Sequence, residues 1–221
     1  MGTMAKVRDT NASAQREIVG GPDSLRVGVL ALQGDYATHL QALTALGAKA
    51  EPIRRVDQLD DLHGLILPGG ESTTLWKLLA REQMDVALRK FQNRGGALFG
   101  TCAGLILLAR SVCDPVQPSL GFIDIDVRRN GYGRQRESFI DEGELLWSGQ
   151  TVEMPFIRAP RILRVGSEVE VLAQWQGEPV LVREGSVLAG TFHPELLGDN
   201  PVHRYFLDEV VCTATRQGQP S

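Results

Sequence analysis

The sequence predicts an α/β domain in which a mostly parallel sheet is covered by helices on both faces. In the first half of the chain, runs of consecutive apolar residues alternate with segments whose apolar residues recur at helical spacing. Strands that are apolar throughout are typical of a parallel sheet buried on both faces, and the helices provide the crossovers that parallel strands need. Past Cys113 apolar and polar residues alternate, which predicts shorter strands in a mixed or antiparallel extension.

The length of 221 residues suits one medium-sized domain with a substantial core. Residues 1–24 are polar and without periodicity, so we expect a leader that is flexible or was added in cloning. We expect the domain to cover 25–213 and a polar tail to cover 214–221.

The composition excludes several classes of function. A formal net charge of −4 offers no basic surface for nucleic acid and no polybasic patch for a membrane. No apolar run approaches the ~20 residues that span a bilayer, and no signal peptide opens the chain. Three widely spaced cysteines argue against a disulfide framework and indicate a reducing compartment, so we expect a cytoplasmic protein.

Four strands are predicted in the first half, at 25–32, at 48–53, at 65–67 and around Leu98 and Phe99. Pro52 lacks a backbone N–H, which indicates an edge position for the second strand. Glycine-rich turns follow the last two strands, at Gly69-Gly70 and at 100–104. Because ligands collect at the carboxyl ends of parallel strands, both turns are expected at one site.

Helices are predicted between these strands. Asp35 is placed to cap the first helix, and Gly47 ends it. Its apolar face is expected to contain Ala37, Leu40, Leu43 and Leu46. Ser72 or Thr73 can cap the second helix, a third covers 86–91, and a further helix starts at Leu105.

The second half contains four predicted strands of alternating polarity, at 122–127, 152–157, 169–174 and 179–183. An apolar strand at 187–192 then ends at His193-Pro194-Glu195, and a last helix covers 201–211.

Cys102 is the candidate nucleophile, because Gly-Thr-Cys-Ala-Gly stands between an apolar strand and a helical segment. A side chain raised on such a turn has a strained backbone and needs small neighbours that let strand and helix approach. The N-terminus of the following helix favours thiolate over thiol. By itself the pattern is equally compatible with a buried structural cysteine.

A nucleophilic thiol needs a base, and the base needs a group that orients it. His193 is the candidate base, since an extended His-Pro-Glu places Glu195 on the same side as the imidazole. The other histidines are assigned structural roles: His39 to a surface or packing position, His63 to a solvated turn and His203 to the last helix. His-Pro-Glu alone is compatible with a turn at a strand end.

An acyl-transfer site also needs two backbone N–H donors for the oxyanion of its tetrahedral intermediate. Ala103 follows the nucleophile and supplies one donor, and Gly70 is the best candidate for the other because it has no side chain to block the approach.

Six segments add a resemblance to these patterns. They are Leu-Gln-Gly-Asp (32–35), Leu-Pro-Gly-Gly-Glu-Ser-Thr-Thr (67–74), Phe-Gly-Thr-Cys-Ala-Gly-Leu (99–105), Arg-Asn-Gly-Tyr-Gly-Arg-Gln (129–135), Phe-Ile-Arg-Ala-Pro (156–160) and Phe-His-Pro-Glu-Leu (192–196). In order and spacing they resemble the glutaminase subunit of pyridoxal 5′-phosphate synthase, the PdxT/SNO family of triad class I glutamine amidotransferases. The resemblance covers about 25–211 and implies a three-layer, flavodoxin-like fold.

The resemblance implies that Cys102, His193 and Glu195 form a catalytic triad that hydrolyses L-glutamine through a glutamyl thioester. Further residues would bind the substrate: Gly69, Gly70, Glu71, Arg129, Ile157 and Arg158. An arginine pair suits an α-carboxylate, and Glu71 is expected to attract an α-ammonium. Gln33 would lie near the ammonia exit.

No cofactor or metal is implied, and no Cys-x-x-Cys, His-Glu-x-x-His or P-loop pattern occurs. The implied partner is a (β/α)8-barrel synthase subunit in a large hetero-oligomer, to which ammonia passes for vitamin B6 biosynthesis. Three alternatives remain open: a glutaminase of another pathway, a catalytically silent binding module and a cysteine peptidase.

Overall fold

The computed structural model describes residues 25–132 and 138–217, so the predicted leader lies outside the described residues. The strands are β1 Arg26–Leu30, β2 Lys49–Ile53, β3 Gly64–Leu67, β4 Ala97–Thr101, β5 Ala109–Cys113, β6 Ile123–Arg128, β7 Ser138–Leu145, β8 Gln150–Ile157, β9 Arg161–Val165, β10 Glu170–Trp175, β11 Glu178–Glu184 and β12 Val187–Gly190. The helices are α1 Tyr36–Ala45, α2 Ser72–Arg81, α3 Met84–Asn93, α4 Ala103–Leu108, α5 Pro201–Tyr205 and α6 Cys212–Gln217. A π-helical turn, Phe206–Val211, joins the last two, and 3-10 turns cover Val56–Leu59 and Pro194–Leu196.

Nine strands form one sheet in the order β2-β1-β3-β4-β12-β11-β10-β7-β8. The first five are parallel to one another, and each later strand is antiparallel to its neighbour. The predicted parallel sheet with an antiparallel extension is therefore confirmed. The strand that contains Pro52 lies at the edge, as its missing N–H predicts.

Helices cover both faces of the parallel strands because successive side chains of each strand point to opposite faces. Along β3, Leu65 and Leu67 pack into a core that also contains residues of α2, α3 and α4. Ile66, between them, belongs to the opposite core, with residues of α1 and of the C-terminal helical segment. All three side chains are fully buried, and each such burial contributes about 1.5–3 kcal/mol.

A second sheet, in the order β5-β6-β9, was not predicted. The helix predicted to start at Leu105 begins at Ala103 and is short, because α4 ends at Leu108 and leads directly into β5 at Ala109. Apolar residues of β6 and β9 pack into the same core as α2 and α3. This sheet thus covers part of one face of the main sheet.

Two helix predictions need correction. The apolar face predicted for α1 is correct at Leu43, which is buried, and at Leu40 and Leu46, which pack against the core. Ala37 is exposed instead, and the buried face also contains His39 and Ala42. The last helical segment continues to Gln217, and Ala214 is 7% exposed, so the segment predicted as a polar tail begins inside a helix. None of the helices described is long and apolar enough to cross a membrane.

Candidate active site

Cys102 lies on a strained turn between β4 and α4. Its φ of 47° and ψ of −100° are unusual for a residue with a side chain, and its N–H donates to the carbonyl of Gly190 on β12 at 2.9 Å. A Cβ added to Gly104 would lie 2.0 Å from the carbonyl oxygen of Leu67. The predicted strand–turn–helix arrangement is therefore present, and glycine is required where α4 approaches β3.

The parallel sheet brings the separate segments together. The strands β1, β3, β4 and β12 are parallel and adjacent, so the residues that follow their carboxyl ends meet at one edge. Cys102 and His193 follow the neighbouring strands β4 and β12 and face the same cleft. This placement is the one that the alternation of strands and helices predicts.

His193 and Glu195 form the close contact expected from His-Pro-Glu. His193 Nδ1 lies 2.7 Å from Glu195 Oε1, and the two side chains are 12% and 1% exposed. The local geometry differs from the expected extended strand, because Pro194–Leu196 is a 3-10 turn that brings the carboxylate back to the imidazole. The backbone N–H of His193 donates to the carbonyl of Pro155 at 2.9 Å, which anchors this segment to β8.

The surroundings of His193 favour its protonated form. Burial lowers the pKa of the imidazole, but hydrogen bonds to Cys102 and Glu195 and their charges outweigh burial and raise this pKa to about 10. The imidazolium of His193 and the N-terminus of α4, of which Cys102 is the N-cap, both place positive charge near the sulfur. Cys102 Sγ also lies 3.8 Å from the carbonyl oxygen of Ile157.

A cleft of about 380 Å³ opens in front of Cys102. The predicted substrate residues Gly69, Gly70, Glu71, Arg129, Ile157 and Arg158, as well as Gln33, line this cleft together with Cys102 and His193. Ala103 is buried at the start of α4, directly after Cys102. The part of the 129–135 segment beyond Tyr132 lies outside the described residues.

Glu71 is the N-cap of α2, and this corrects the assignment of the cap to Ser72 or Thr73. Its carboxylate accepts hydrogen bonds from the backbone N–H groups of Thr73 and Thr74 at 3.2 and 2.7 Å, and it pairs with Arg129 Nη2 at 3.1 Å. Burial raises the pKa of Glu71, but hydrogen bonds from the two threonines outweigh burial and lower it to about 2. Glu71 is therefore an anion that is already engaged in the free protein.

The two predicted arginines occupy different positions. Arg129 is held in place, with Nη1 donating to Thr73 Oγ1 at 3.0 Å and Nη2 to Glu71. Arg158 is exposed at the cleft, and its φ of 44° is a strained value that directs the backbone sharply after β8. Gln33 Oε1 accepts a hydrogen bond from the backbone N–H of Glu71 at 3.1 Å, so this side chain supports the Gly69–Glu71 loop.

Gly69 lies against the imidazole of His193. A Cβ added at Gly69 would lie 2.5 Å from His193 Cε1 and 3.2 Å from Nδ1. Any residue with a Cβ at this position would displace the imidazole of His193, so the position requires glycine.

Sequence analysis missed a polar group behind Glu195. His39 and His203 are fully buried, their Nδ1 and Nε2 atoms are 2.9 Å apart, and His39 Nε2 lies 3.2 Å from Thr101 Oγ1 and 3.4 Å from Glu195 Oε2. The available signal was the spacing of His39 with Ala42 and Leu43, which places it on the buried face of α1. His63 is half-buried and accepts a hydrogen bond from the N–H of Arg26 at 3.0 Å, so it is not merely solvated.

The described ranges contain no group of three or more His, Cys, Asp or Glu residues arranged to hold a metal ion.

The comparison with known proteins agrees with this arrangement. Residues 29–212 match the model of the SNO glutamine amidotransferase family. The chain belongs to this family. Its curated relatives include the pyridoxal 5′-phosphate synthase subunit PdxT of Koribacter versatilis, 53% identical over 186 residues that cover 84% of this chain and 96% of the relative. The protein of the same name from Thermotoga maritima is 48% identical, over 84% of this chain and all of the relative.

Solved structures agree at the level of the fold. A crystal structure of a glutamine amidotransferase superposes with a TM-score of 0.79 at 48% identity and covers 85% of this chain and 98% of that one. A protein from Thermoplasma acidophilum described as a putative GMP synthase subunit superposes with a TM-score of 0.63 at 16% identity, over 87% of this chain and 96% of its own. At that identity the similarity concerns the fold alone. The chain therefore has the predicted fold of class I glutamine amidotransferases.

Proposed function

We propose that this chain is the glutaminase subunit of a pyridoxal 5′-phosphate synthase, which hydrolyses L-glutamine to L-glutamate and ammonia for vitamin B6 biosynthesis. Membership of the glutamine amidotransferase family and the name shared by the curated relatives support this activity. The single observation that supports the mechanism is the contact of His193 with both Cys102 and the buried Glu195 at the floor of one cleft.

In the first half of the reaction, the thiolate of Cys102 attacks the side-chain amide carbon of glutamine. His193, protonated in the resting site, then gives its proton to the departing nitrogen as the carbon–nitrogen bond breaks, and ammonia leaves. Glu195 Oε1 holds the Nδ1 side of the imidazole, so that Nε2 is directed at the reacting atoms. The product of this half-reaction is a γ-glutamyl thioester on Cys102.

In the second half, His193 takes a proton from water, and the resulting hydroxide attacks the thioester carbonyl. The carbon–sulfur bond breaks, glutamate leaves, and the thiolate and the imidazolium are restored. Both tetrahedral intermediates carry an oxyanion, for which the backbone N–H groups of Gly70 and Ala103 are the proposed donors.

The cleft has the charges that an amino acid requires. Arg158 is exposed and has no hydrogen bond or ion pair within the described part of the chain, so it is available to a substrate α-carboxylate. Arg129 is committed to Glu71 and Thr73, and we propose that it shapes the loop and adds positive potential. Glu71, as a capped anion, offers negative potential to the α-ammonium, and the backbone of Gly69 and Ile157 completes the pocket.

The proposed recipient of ammonia is a (β/α)8-barrel synthase subunit in a large hetero-oligomer, and the proposed location of the reaction is the cytoplasm. Ammonia at neutral pH is mostly ammonium, which is not nucleophilic, so a guarded transfer between subunits makes chemical sense. Gln33 lines the cleft and contacts the Gly69–Glu71 loop, and we propose that ammonia leaves past it.

The test measures ammonia and glutamate released from L-glutamine, with and without a purified pyridoxal 5′-phosphate synthase barrel subunit. We expect release that depends on the synthase, and a thioester of one glutamyl group on Cys102 detected by mass spectrometry. Cys102→Ala should abolish both signals. Cys113→Ala, which removes a half-buried cysteine on β5, is the matched control and should leave them unchanged.

Each alternative predicts a different outcome. If the rate of ammonia release is the same with and without the synthase subunit, the chain is a glutaminase of another pathway. If it cleaves peptides in place of free glutamine, it is a peptidase. Absence of activity in every mixture indicates a silent binding module and refutes the proposal.

A further inference from the structure

Two histidines that the proposed reaction does not use lie directly behind Glu195. His39 of α1 and His203 of α5 have no exposed surface. The Glu195 carboxylate therefore lies between two imidazoles: His193 Nδ1 is 2.7 Å from Oε1, and His39 Nε2 is 3.4 Å from Oε2. His203 lies behind His39, with its Nε2 2.9 Å from His39 Nδ1.

The contacts define which nitrogen of each ring carries the proton. A hydrogen bond between two neutral imidazoles needs one donor and one acceptor. If His39 donated from Nδ1, its unprotonated Nε2 would face the carboxylate of Glu195, and His203 would bury an N–H at Nδ1. His203 Nδ1 is buried and has no hydrogen-bond partner among the residues described, so that N–H would be unsatisfied.

The opposite arrangement avoids both costs. His203 then donates from Nε2 to His39 Nδ1, and His39 carries its proton on Nε2, toward Glu195 Oε2 and Thr101 Oγ1. Only a lone pair on His203 Nδ1 is left without a partner. His203 thus fixes the tautomer of His39, as the second partner of an imidazole does in other sites.

Burial keeps this pair neutral while His193 is charged. Desolvation lowers the pKa of His203 to about 3. Desolvation also lowers the pKa of His39 well below 6.5, and repulsion between a protonated His39 and the imidazolium forms of His203 and His193 lowers it further. The pKa of His193, on the other side of the carboxylate, is raised to about 10. Of the two imidazoles beside Glu195, His39 is therefore neutral and His193 is protonated. The proton used in catalysis stays on His193, which faces the cleft.

We propose that His39 is a positioning residue, whose Nε2–H, oriented by His203, supports the second oxygen of Glu195 and so holds the first oxygen on His193. Glu195 Oε2 is buried and has no hydrogen-bond partner among the described residues. His39 Nε2 lies 3.4 Å from it and 3.2 Å from Thr101 Oγ1, so the N–H of His39 lies between these two oxygens and its positive end partly offsets the desolvation of the carboxylate. The inference rests on the proposed glutaminase function, since the reaction it serves is that of Cys102.

The test compares two substitutions of one residue. His39→Phe keeps a ring and removes both nitrogens, whereas His39→Gln keeps an N–H donor near the position of Nε2. We expect His39→Phe to lower kcat for synthase-dependent ammonia release about 10-fold, with KM within about twofold, as losses of such supporting partners do. We expect His39→Gln to restore most of kcat.

A second measurement does not depend on glutaminase activity. The rate at which iodoacetamide alkylates Cys102 reports the thiolate as the pH is varied. His39→Phe should move the alkaline inflection of that rate, at which the neighbouring imidazolium of His193 loses its proton, to lower pH, because a poorly held Glu195 stabilises the imidazolium of His193 less well. His203→Leu, which leaves every contact of Glu195 in place, should shift it in the same direction by a smaller amount, and it serves if His39→Phe fails to fold.

The control is His63→Gln, which changes a half-buried histidine near β3 and should alter neither kcat nor the inflection. Unchanged kcat and an unchanged inflection in folded His39→Phe overturn the proposal. The proposal is also overturned if His39→Phe and His39→Gln lower kcat equally, if that loss matches the fall in the folded fraction, and if the inflection does not move. If the wild-type protein releases no ammonia while the inflection shifts as expected, the proposed function fails and the positioning role stands.

Discussion

Gly69 provides a direct test of the site geometry. Replacement by alanine places a Cβ 2.5 Å from His193 Cε1, whereas carbon atoms in ordinary contact are about 3.5–4.0 Å apart. The imidazole cannot simply rotate away, since Nδ1 is held by Glu195 at 2.7 Å and the side chain is only 12% exposed. A displacement of about 1 Å at the base is therefore expected, and errors of that size cost about 100-fold in rate.

The expected result is a fall of about 100-fold in kcat for synthase-dependent ammonia release, without loss of the folded state. The backbone of Gly69 is not in the left-handed region, so alanine introduces no backbone strain at this position. Thermal unfolding followed by circular dichroism should show a Tm close to that of the wild-type protein.

Gly198→Ala is the matched control. A Cβ at Gly198 meets nothing within 4 Å, and the residue is exposed just beyond Pro194–Leu196, so kcat should stay at the wild-type value. If Gly69→Ala retains wild-type kcat, the imidazole is not confined as described, and the reasoning about this site is refuted.

Three further outcomes are expected. Glu195→Gln should lower the pKa of His193 below about 10 and reduce kcat by about 10⁴-fold, measured as glutamate release; activity above a tenth of wild type would contradict the orienting role. Because the pKa of Glu71 is lowered from 4.5 to about 2, its contribution to stability is present above pH 4.5 and lost as the pH falls through 2. The difference in urea midpoint between wild type and Glu71→Gln should therefore shrink over that interval, and a constant difference would contradict this account. Arg158→Ala should raise KM for glutamine about 10-fold with little change in kcat. Arg81→Ala removes an exposed arginine that forms an ion pair with the neighbouring Glu82, and it should leave KM unchanged.

Several elements followed from local sequence pattern. Strands such as β3 and β4 are apolar at nearly every position, and this is required only where both faces are covered. Gly-Thr-Cys-Ala-Gly predicted a strained turn because small residues must flank a raised side chain, and the structure has that turn at Cys102. Pro52 predicted an edge strand because it cannot donate a hydrogen bond to a neighbour on one side.

Other elements could not be predicted because their cause lies far away in the chain. The strand β5 begins at Ala109 because it pairs with β6, although the residues before it continue a helix-forming run. The N-cap of α2 is Glu71, not the serine or threonine that follows it. The carboxylate of Glu71 also pairs with Arg129, which comes from a distant part of the chain. Local propensity is a weak guide wherever such distant pairings decide the outcome.

The sequence by itself determined the class of fold, the identity of the thiol, imidazole and carboxylate, and the edge of the sheet at which they meet. These depend on periodicity and on short motifs, both of which are local. Only the tertiary structure decided the environment of those groups: the two buried histidines behind Glu195, the contact of Gly69 with His193, and the engagement of Glu71. Distance, burial and proton position depend on contacts between elements that are far apart in the chain, from the 58 residues between Glu71 and Arg129 to the 164 residues between His39 and His203.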